Sequence, residues 1–221
     1  MSVPGTCKHC NKAIGTVDHL ATKCDRILND YTRRHNEIVR CIHLLLCNNY
    51  KIKSSKRMRS HSIQEIVGNK EVEIRVNTRI KTDIKVPNNR PDLFVYDKKK
   101  GEITLIEVGI TNQDLLQTVE TEKKRKYDLL ASELAIIYRA KVKIIPIVMT
   151  WDGIVTTYHK NYLRELEITN NIQAYMQSKV LKKTLESINF DFRRRGLNEE
   201  ITTREEVFET NLEKVEVVQT A

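Results

Sequence analysis

The sequence predicts an α/β fold whose core runs helix, three strands, helix, strand. Three patterns carry that prediction. Residues 90–110 read as two strands joined by a turn at 98–101, and nearly every side chain of the second strand is apolar (Ile103, Leu105, Ile106, Val108, Ile110), the mark of a strand covered on both faces. Leu116, Val119, Tyr127, Leu130, Leu134 and Ile137 then fall on one stripe at about 100° per residue, which predicts one long amphipathic helix. Residues 142–150 form a further apolar run, and Pro146 within it predicts an edge position or a bulge, because proline offers a sheet no N–H donor.

The other elements follow in order. Residues 30–47 read as a helix with Tyr31, Ile38, Ile42 and Leu45 on its stripe, Val39 and Leu46 widening it, and Cys41 and Cys47 as buried thiols. Residues 50–61 form a basic segment (Lys51, Lys53, Lys56, Arg57, Arg59, His61), either a mobile loop that grips phosphates or a merely solvated one. Val72, Ile74 and Val76 alternate with Glu73, Arg75 and Asn77, as in a half-buried strand; residues 80–86 continue it or pair with it, and Pro87-Asn88-Asn89 turns the chain into the hairpin. Residues 162–190 read as a helix in two pieces, broken near 169–171. Arg193, Arg194 and Arg195 follow Phe192, either as a phosphate- and base-binding cluster or as cations favoured at a helix C-terminus.

Charge is unevenly spread. The formal net charge is +9, yet residues 197–221 carry −5, leaving +14 on the first 196. A body that basic suits a polyanion, most simply nucleic acid, with a generic basic surface as the alternative. The acidic tail has no periodicity and is expected to be disordered. No apolar run approaches about 18 residues and no secretory pattern opens the chain, so no membrane span is expected. Five cysteines, three of them at zinc spacing, point to an intracellular, reducing setting.

Those three lie in CKHCNKAIGTVDHLATKC, where Cys7, Cys10, His19 and Cys24 follow one another within 18 residues. Two cysteines two apart present both thiolates to one ion, and a histidine and a third cysteine close the tetrahedron. So short a segment has little core, and structural Zn²⁺ would supply most of its folding energy. The chain thus divides into a Cys-Cys-His-Cys knuckle (1–28), a core (29–160), a C-terminal helical extension (161–196) and the tail (197–221).

The core carries two anomalies of opposite sign. Glu107 interrupts the apolar strand, and a carboxylate there is costly unless paired or holding a metal. Asp92 opens the preceding strand, so the hairpin can set the two acids side by side. Lys123 lies at the centre of the helix stripe and Lys126 on its shoulder, where a core-facing helix normally excludes lysine. Lys124 and Arg125 are expected to point outward. Two acids and an inward lysine form a metal-dependent nuclease constellation.

At these residues the chain resembles the restriction-like endonuclease domain of site-specific non-long-terminal-repeat (LINE-type) retrotransposons, a branch of the PD-(D/E)xK superfamily. The matching residues are Arg90-Pro91-Asp92, fourteen further residues, Glu107, and Lys123 to Tyr127; the segment Thr32 to Glu37 and the Cys-Cys-His-Cys motif are similar too. The superfamily's lysine two residues after the acid is replaced by Gly109, and in the retrotransposon branch it typically lies on the following helix. The resemblance implies a PD-(D/E)xK core and active-site Mg²⁺ or Mn²⁺ held by Asp92, Glu107 and the Val108 main-chain carbonyl, with Glu37 as the candidate for an extra acid. Lys123 is then the first choice for the catalytic ammonium and Lys126 the second.

It also implies the larger role: nicking double-stranded DNA in the nucleus, assisted by Arg90 and the basic segments, so that the exposed end primes reverse transcription. No Tyr-x-Asp-Asp reverse-transcriptase motif occurs here, so a fusion to that enzyme in a longer polyprotein is expected. The rivals are a junction-resolving nuclease, which shares fold and carboxylates, and a non-catalytic zinc module that only binds nucleic acid.

Overall fold

The computed structural model describes residues 5–7, 9–53 and 66–188. The chain divides into two units, Met1–Ser187 and Ile188–Ala221, and of the second only Ile188 is described. Lys56, Arg57, Arg59, His61, Arg193, Arg194, Arg195 and the acidic tail therefore lie outside the described residues.

In chain order the elements are α1 (Val17–Thr22), a 3₁₀ turn (Asp25–Ile27), α2 (Leu28–Asn49), β1 (Ile66–Gly68), β2 (Val72–Val76), β3 (Leu93–Asp97), β4 (Glu102–Thr111), α3 (Leu116–Arg125), α4 (Asp128–Tyr138), β5 (Lys141–Thr150), α5 (His159–Glu165) and α6 (Asn170–Ile188). The strands form one mixed sheet in the order β1-β2-β3-β4-β5, antiparallel up to β4 and parallel between β4 and β5. A parallel pair needs a crossover, and α3 and α4 supply it, packing back on β4 and β5.

The hairpin forms where the sequence places it. Asp97 pairs with Glu102 across residues 98–101, Gly101 takes φ +63°, and the Asp97 carboxylate accepts the Lys100 N–H at 2.9 Å. On β4, Ile103 and Leu105 pack with Tyr127, Leu130 and Leu134 in one buried cluster, so this face looks toward the crossover helices. Glu107 and Gly109 continue the same face. The alternate residues Ile106 and Val108 turn the other way, and α2 also packs on β4. Pro146 lies on the edge strand, in register with Glu107 and without a bulge.

Three expectations are corrected. The long helix is two, α3 and α4, interrupted at Lys126 and Tyr127. Neither proline nor glycine causes the break; Tyr127 is buried and its hydroxyl donates to the Arg90 carbonyl at 2.8 Å, a tertiary bond that turns the chain there. The stripe also ends early, since Ile137 is exposed. Residues 80–86 form no strand: Ile80 and Val86 are buried as single anchors of an irregular crossing. The three-residue β1, with an exposed Ile66, has no counterpart in the sequence reading.

His159, the first residue of α5, is fully buried, and neither ring nitrogen has a partner among the described residues. Burial holds its pKa down to about 4. The unfolded chain takes up this proton near pH 6.5, the folded one only near 4, so stability falls as pH drops through that window and levels off below it. The size is of order 3 kcal/mol. Urea unfolding between pH 7 and 4.5 is expected to lose that component in His159→Leu; parallel pH profiles for both proteins would show that His159 is not held neutral.

Candidate functional site: a carboxylate pair beside a Cys/His cluster

The hairpin register sets the two acids together. Leu93 pairs with Ile106, which places Asp92 level with Glu107, and the Asp92 N–H points at the Glu107 Oε2 atom from 3.4 Å. Asp92 Oδ2 accepts the Val108 N–H at 2.8 Å. In a strand a residue's N–H and C=O point to the same side, so the Val108 carbonyl is also directed toward Asp92. Both acids are buried.

Both sequence-predicted lysines reach the pair. Lys123 and Lys126 donate to the same oxygen, Glu107 Oε1, at 2.8 and 2.6 Å. Three helical residues apart, they sit about 60° from one another on the helix. Lys123 is the more enclosed, with 25% of its side chain exposed against 37% for Lys126. Lys124 and Arg125 are exposed, with the Lys124 ammonium 6.0 Å from the Tyr162 ring centre.

Gly109 accounts for the lysines coming from a helix. A Cβ at this position would lie 3.1 Å from Val148 Cγ2 and 3.4 Å from Val119 Cγ1. A lysine stem there would have to push aside the packing of α3 and β5 on β4.

Helix α2 brings a residue to which the sequence reading assigned no role. His35 Nε2 lies 2.9 Å from Asp92 Oδ2. Burial would lower the imidazole pKa, but the Asp92 bond and charge outweigh it and raise it. Burial would likewise raise Asp92, yet His35, the Val108 N–H and the Lys123 charge together hold its carboxyl below the usual range. Glu37 is directed elsewhere. It accepts from Arg40 at 3.0 Å, and two residues along a helix is 200°, so the side facing His35's partner is not the side of Glu37. The signal for His35 was present: it falls on the inward stripe, four residues after Tyr31 and three before Ile38.

Arg90 is exposed, its Nε donating to the Asn77 carbonyl at 2.5 Å. Lys51 and Lys53 are exposed just beyond α2.

Cys7, Cys10, His19 and Cys24 form the second cluster. Backbone bonds from Cys7 N to the Ala13 carbonyl (2.7 Å) and from Asn11 N to the Cys7 carbonyl (2.8 Å) fold the Cys7–Cys10 loop. Thr16 caps α1 by accepting the His19 N–H at 3.1 Å, which sets His19 in the first turn with Cys24 just past the end. The four ligand atoms all lie within 4.8 Å of one another. The Cys7–Cys24 sulfurs are 3.9 Å apart and Cys10 Sγ is 3.3 Å from His19 Nε2. A zinc tetrahedron with bonds of about 2.3 Å to sulfur has sulfur–sulfur edges of about 3.8 Å, so the set fits such an ion. All five cysteines of the chain are free thiols. Burial pushes the Cys24 thiol up to about 11, so without a cation it is protonated. Purified protein is expected to hold one zinc per chain by elemental analysis, and Cys7→Ser/Cys10→Ser to lose it. A zinc-free wild type whose fold ignores chelators would end this assignment.

No described helix is long and apolar enough to cross a membrane. No family model matches the chain, and no curated protein matches it. Among solved structures it is similar to an N-terminal domain of a reptarenavirus L protein, at 13% identity over 81% of this chain and 78% of that one, with a TM-score of 0.33. A likeness that low assigns neither fold family nor activity.

Proposed function

We propose that this chain is a metal-dependent DNA endonuclease with a PD-(D/E)xK core, the domain of a site-specific non-long-terminal-repeat retrotransposon that nicks double-stranded DNA to prime reverse transcription. One observation carries the reading: Asp92 and Glu107 lie side by side on a buried hairpin, and two ammonium groups converge on Glu107. The order α2, β2–β4, α3–α4, β5 supports it, being the element order expected for such a core.

The donors suit a hard cation. Anionic carboxylate oxygens and a main-chain carbonyl are the ligand types of Mg²⁺ and Mn²⁺, and Asp92, Glu107 and the Val108 carbonyl would hold the ion. Bound there, it would lower the pKa of a water and neutralise charge on the scissile phosphate. The chain's own groups do the rest. His35 and the Val108 N–H fix the rotamer of Asp92, and Lys123 offers an ammonium to the developing negative charge. Tyr127 anchors the Arg90 carbonyl and so the entry to β3. Lys51, Lys53 and Arg90 offer positive charge to phosphates along the duplex. Zn²⁺ on the Cys/His cluster is structural, and fusion to a reverse transcriptase with nuclear residence completes the proposal.

The test is relaxation of supercoiled plasmid. Nicking in Mg²⁺ or Mn²⁺ that EDTA abolishes is the expected result. DNA binding with no nicking in either metal would sink the reading, and a strong preference for branched over linear duplex would move the chain to the junction-resolving class.

A further inference from the structure

We propose that Arg34 is a positioning residue of the carboxylate site: it clamps α2 to the Cys/His module and thereby holds His35, the next residue, against Asp92. The inference rests on the nuclease reading above and concerns what sets the geometry of that same site.

Arg34 is 1% exposed. A guanidinium so enclosed is costly unless it is hydrogen-bonded, and its two terminal nitrogens are spent on two remote parts of the chain. Nη2 donates to the Ala21 carbonyl at 2.5 Å and Nη1 to Thr184 Oγ1 at 2.6 Å, while the guanidinium lies 4.9 Å over the Tyr31 ring. Ala21 belongs to α1, between the cluster residues His19 and Cys24. Thr184 belongs to α6, and its hydroxyl is 3.2 Å from the Trp151 carbonyl.

Other bonds tie the same module down. Tyr31 Oη is 3.1 Å from the Leu20 carbonyl and 3.2 Å from that of Cys24, and the Trp151 indole N–H donates to Asp18 at 2.7 Å. The six-residue α1 is too short to hold its own shape, so the cluster that flanks it determines where the Ala21 carbonyl lies. Successive helical residues point 100° apart: Arg34 faces module and α6, and His35 faces Asp92.

A cavity of about 330 Å³ joins the two sides. Thr22 of the module, His35 of α2, Val108 and Gly109 of β4 and Lys123 of α3 all line it. The module is therefore a wall of the cleft beside the acids. A shift of α1 reaches Asp92 through one guanidinium and one helix register.

The experiment uses the full chain and Arg34→Lys, which keeps the charge and replaces a two-acceptor fork with a single ammonium. Retained zinc, unchanged far-ultraviolet dichroism and shifted His35 imidazole signals in ¹H–¹⁵N spectra without divalent cation are expected. Calorimetric Mn²⁺ affinity at the acid pair should fall about tenfold or more, the range for residues that orient a metal's ligands. Zinc-stripped wild type is expected to move the same His35 signals together with the emission of Trp151, the chain's single tryptophan. His35 signals that stay put in both samples overturn the proposal. Should Arg34→Lys not fold, Thr184→Val, which removes one acceptor, is read in its place with the same criteria. A wild type whose Mn²⁺ binding does not depend on Glu107 overturns the nuclease reading alone, because the His35 signals still decide the role of Arg34.

Discussion

Glu107→Gln is expected to nick supercoiled plasmid at least about 10²-fold more slowly than wild type, which corresponds to about 3 kcal/mol or more of transition-state stabilisation. The amide keeps the shape of the side chain and can still hold one oxygen toward Lys123 and Lys126. It removes the anionic charge that a divalent cation needs. The fold should survive, because both ammonium groups are part-exposed and can return to water. Asp92→Asn is expected to behave alike, with the Val108 N–H still satisfied by the amide oxygen. DNA affinity, carried by phosphate contacts over the surface, should change little in either variant. Wild-type nicking by one of them would remove that acid from the site.

The second large effect separates the lysines. Lys123→Met is expected to cost about 10²-fold in nicking, and Lys126→Met clearly less, because Lys123 lines the cleft beside His35 and is the more enclosed of the two. Methionine keeps the stem and the helix propensity while deleting the charge. Each single variant leaves one ammonium on Glu107, so both should fold. The double variant leaves a buried carboxylate with neither lysine and is expected to lose about 3 kcal/mol of stability in urea unfolding. A larger loss of nicking in Lys126→Met than in Lys123→Met would transfer the role.

Much of the arrangement was legible because it rests on short-range chemistry. The hairpin follows from a glycine turn between apolar runs, and once the register is set, Asp92 and Glu107 must be neighbours. The spacing of Cys7, Cys10, His19 and Cys24 announced one cluster, and Pro146 announced an edge. What escaped is tertiary. The break between α3 and α4 has no breaker residue; its cause is a bond from Tyr127 to a carbonyl 37 positions earlier. His35 lies on the inward stripe, but its partner Asp92 is 57 positions away. The Arg34–Thr184 contact spans 150 positions, and nothing near either residue signals it. Residues 80–86 alternate weakly enough to suit a strand, yet only Ile80 and Val86 find a place in the core.

Pro146 has a consequence for how copies of this chain meet one another. Among the described strands β5 is the outer one beyond β4, and it runs for ten residues with its last six buried. Unpaired N–H and C=O groups on an outer strand are where a second molecule adds a strand, and here the C-terminal end of β5 is already met by the chain's own return, Met149 pairing with Val155 and the Thr150 N–H donating to the Ile154 carbonyl at 2.8 Å. Pro146, level with Glu107 and itself buried, has no N–H to offer beyond the sheet. The ladder is interrupted at mid-strand, beside the acid pair. Pro146→Val restores that donor and extends the stretch of β5 able to pair with a second copy, which light scattering would read as a concentration-dependent gain in mass.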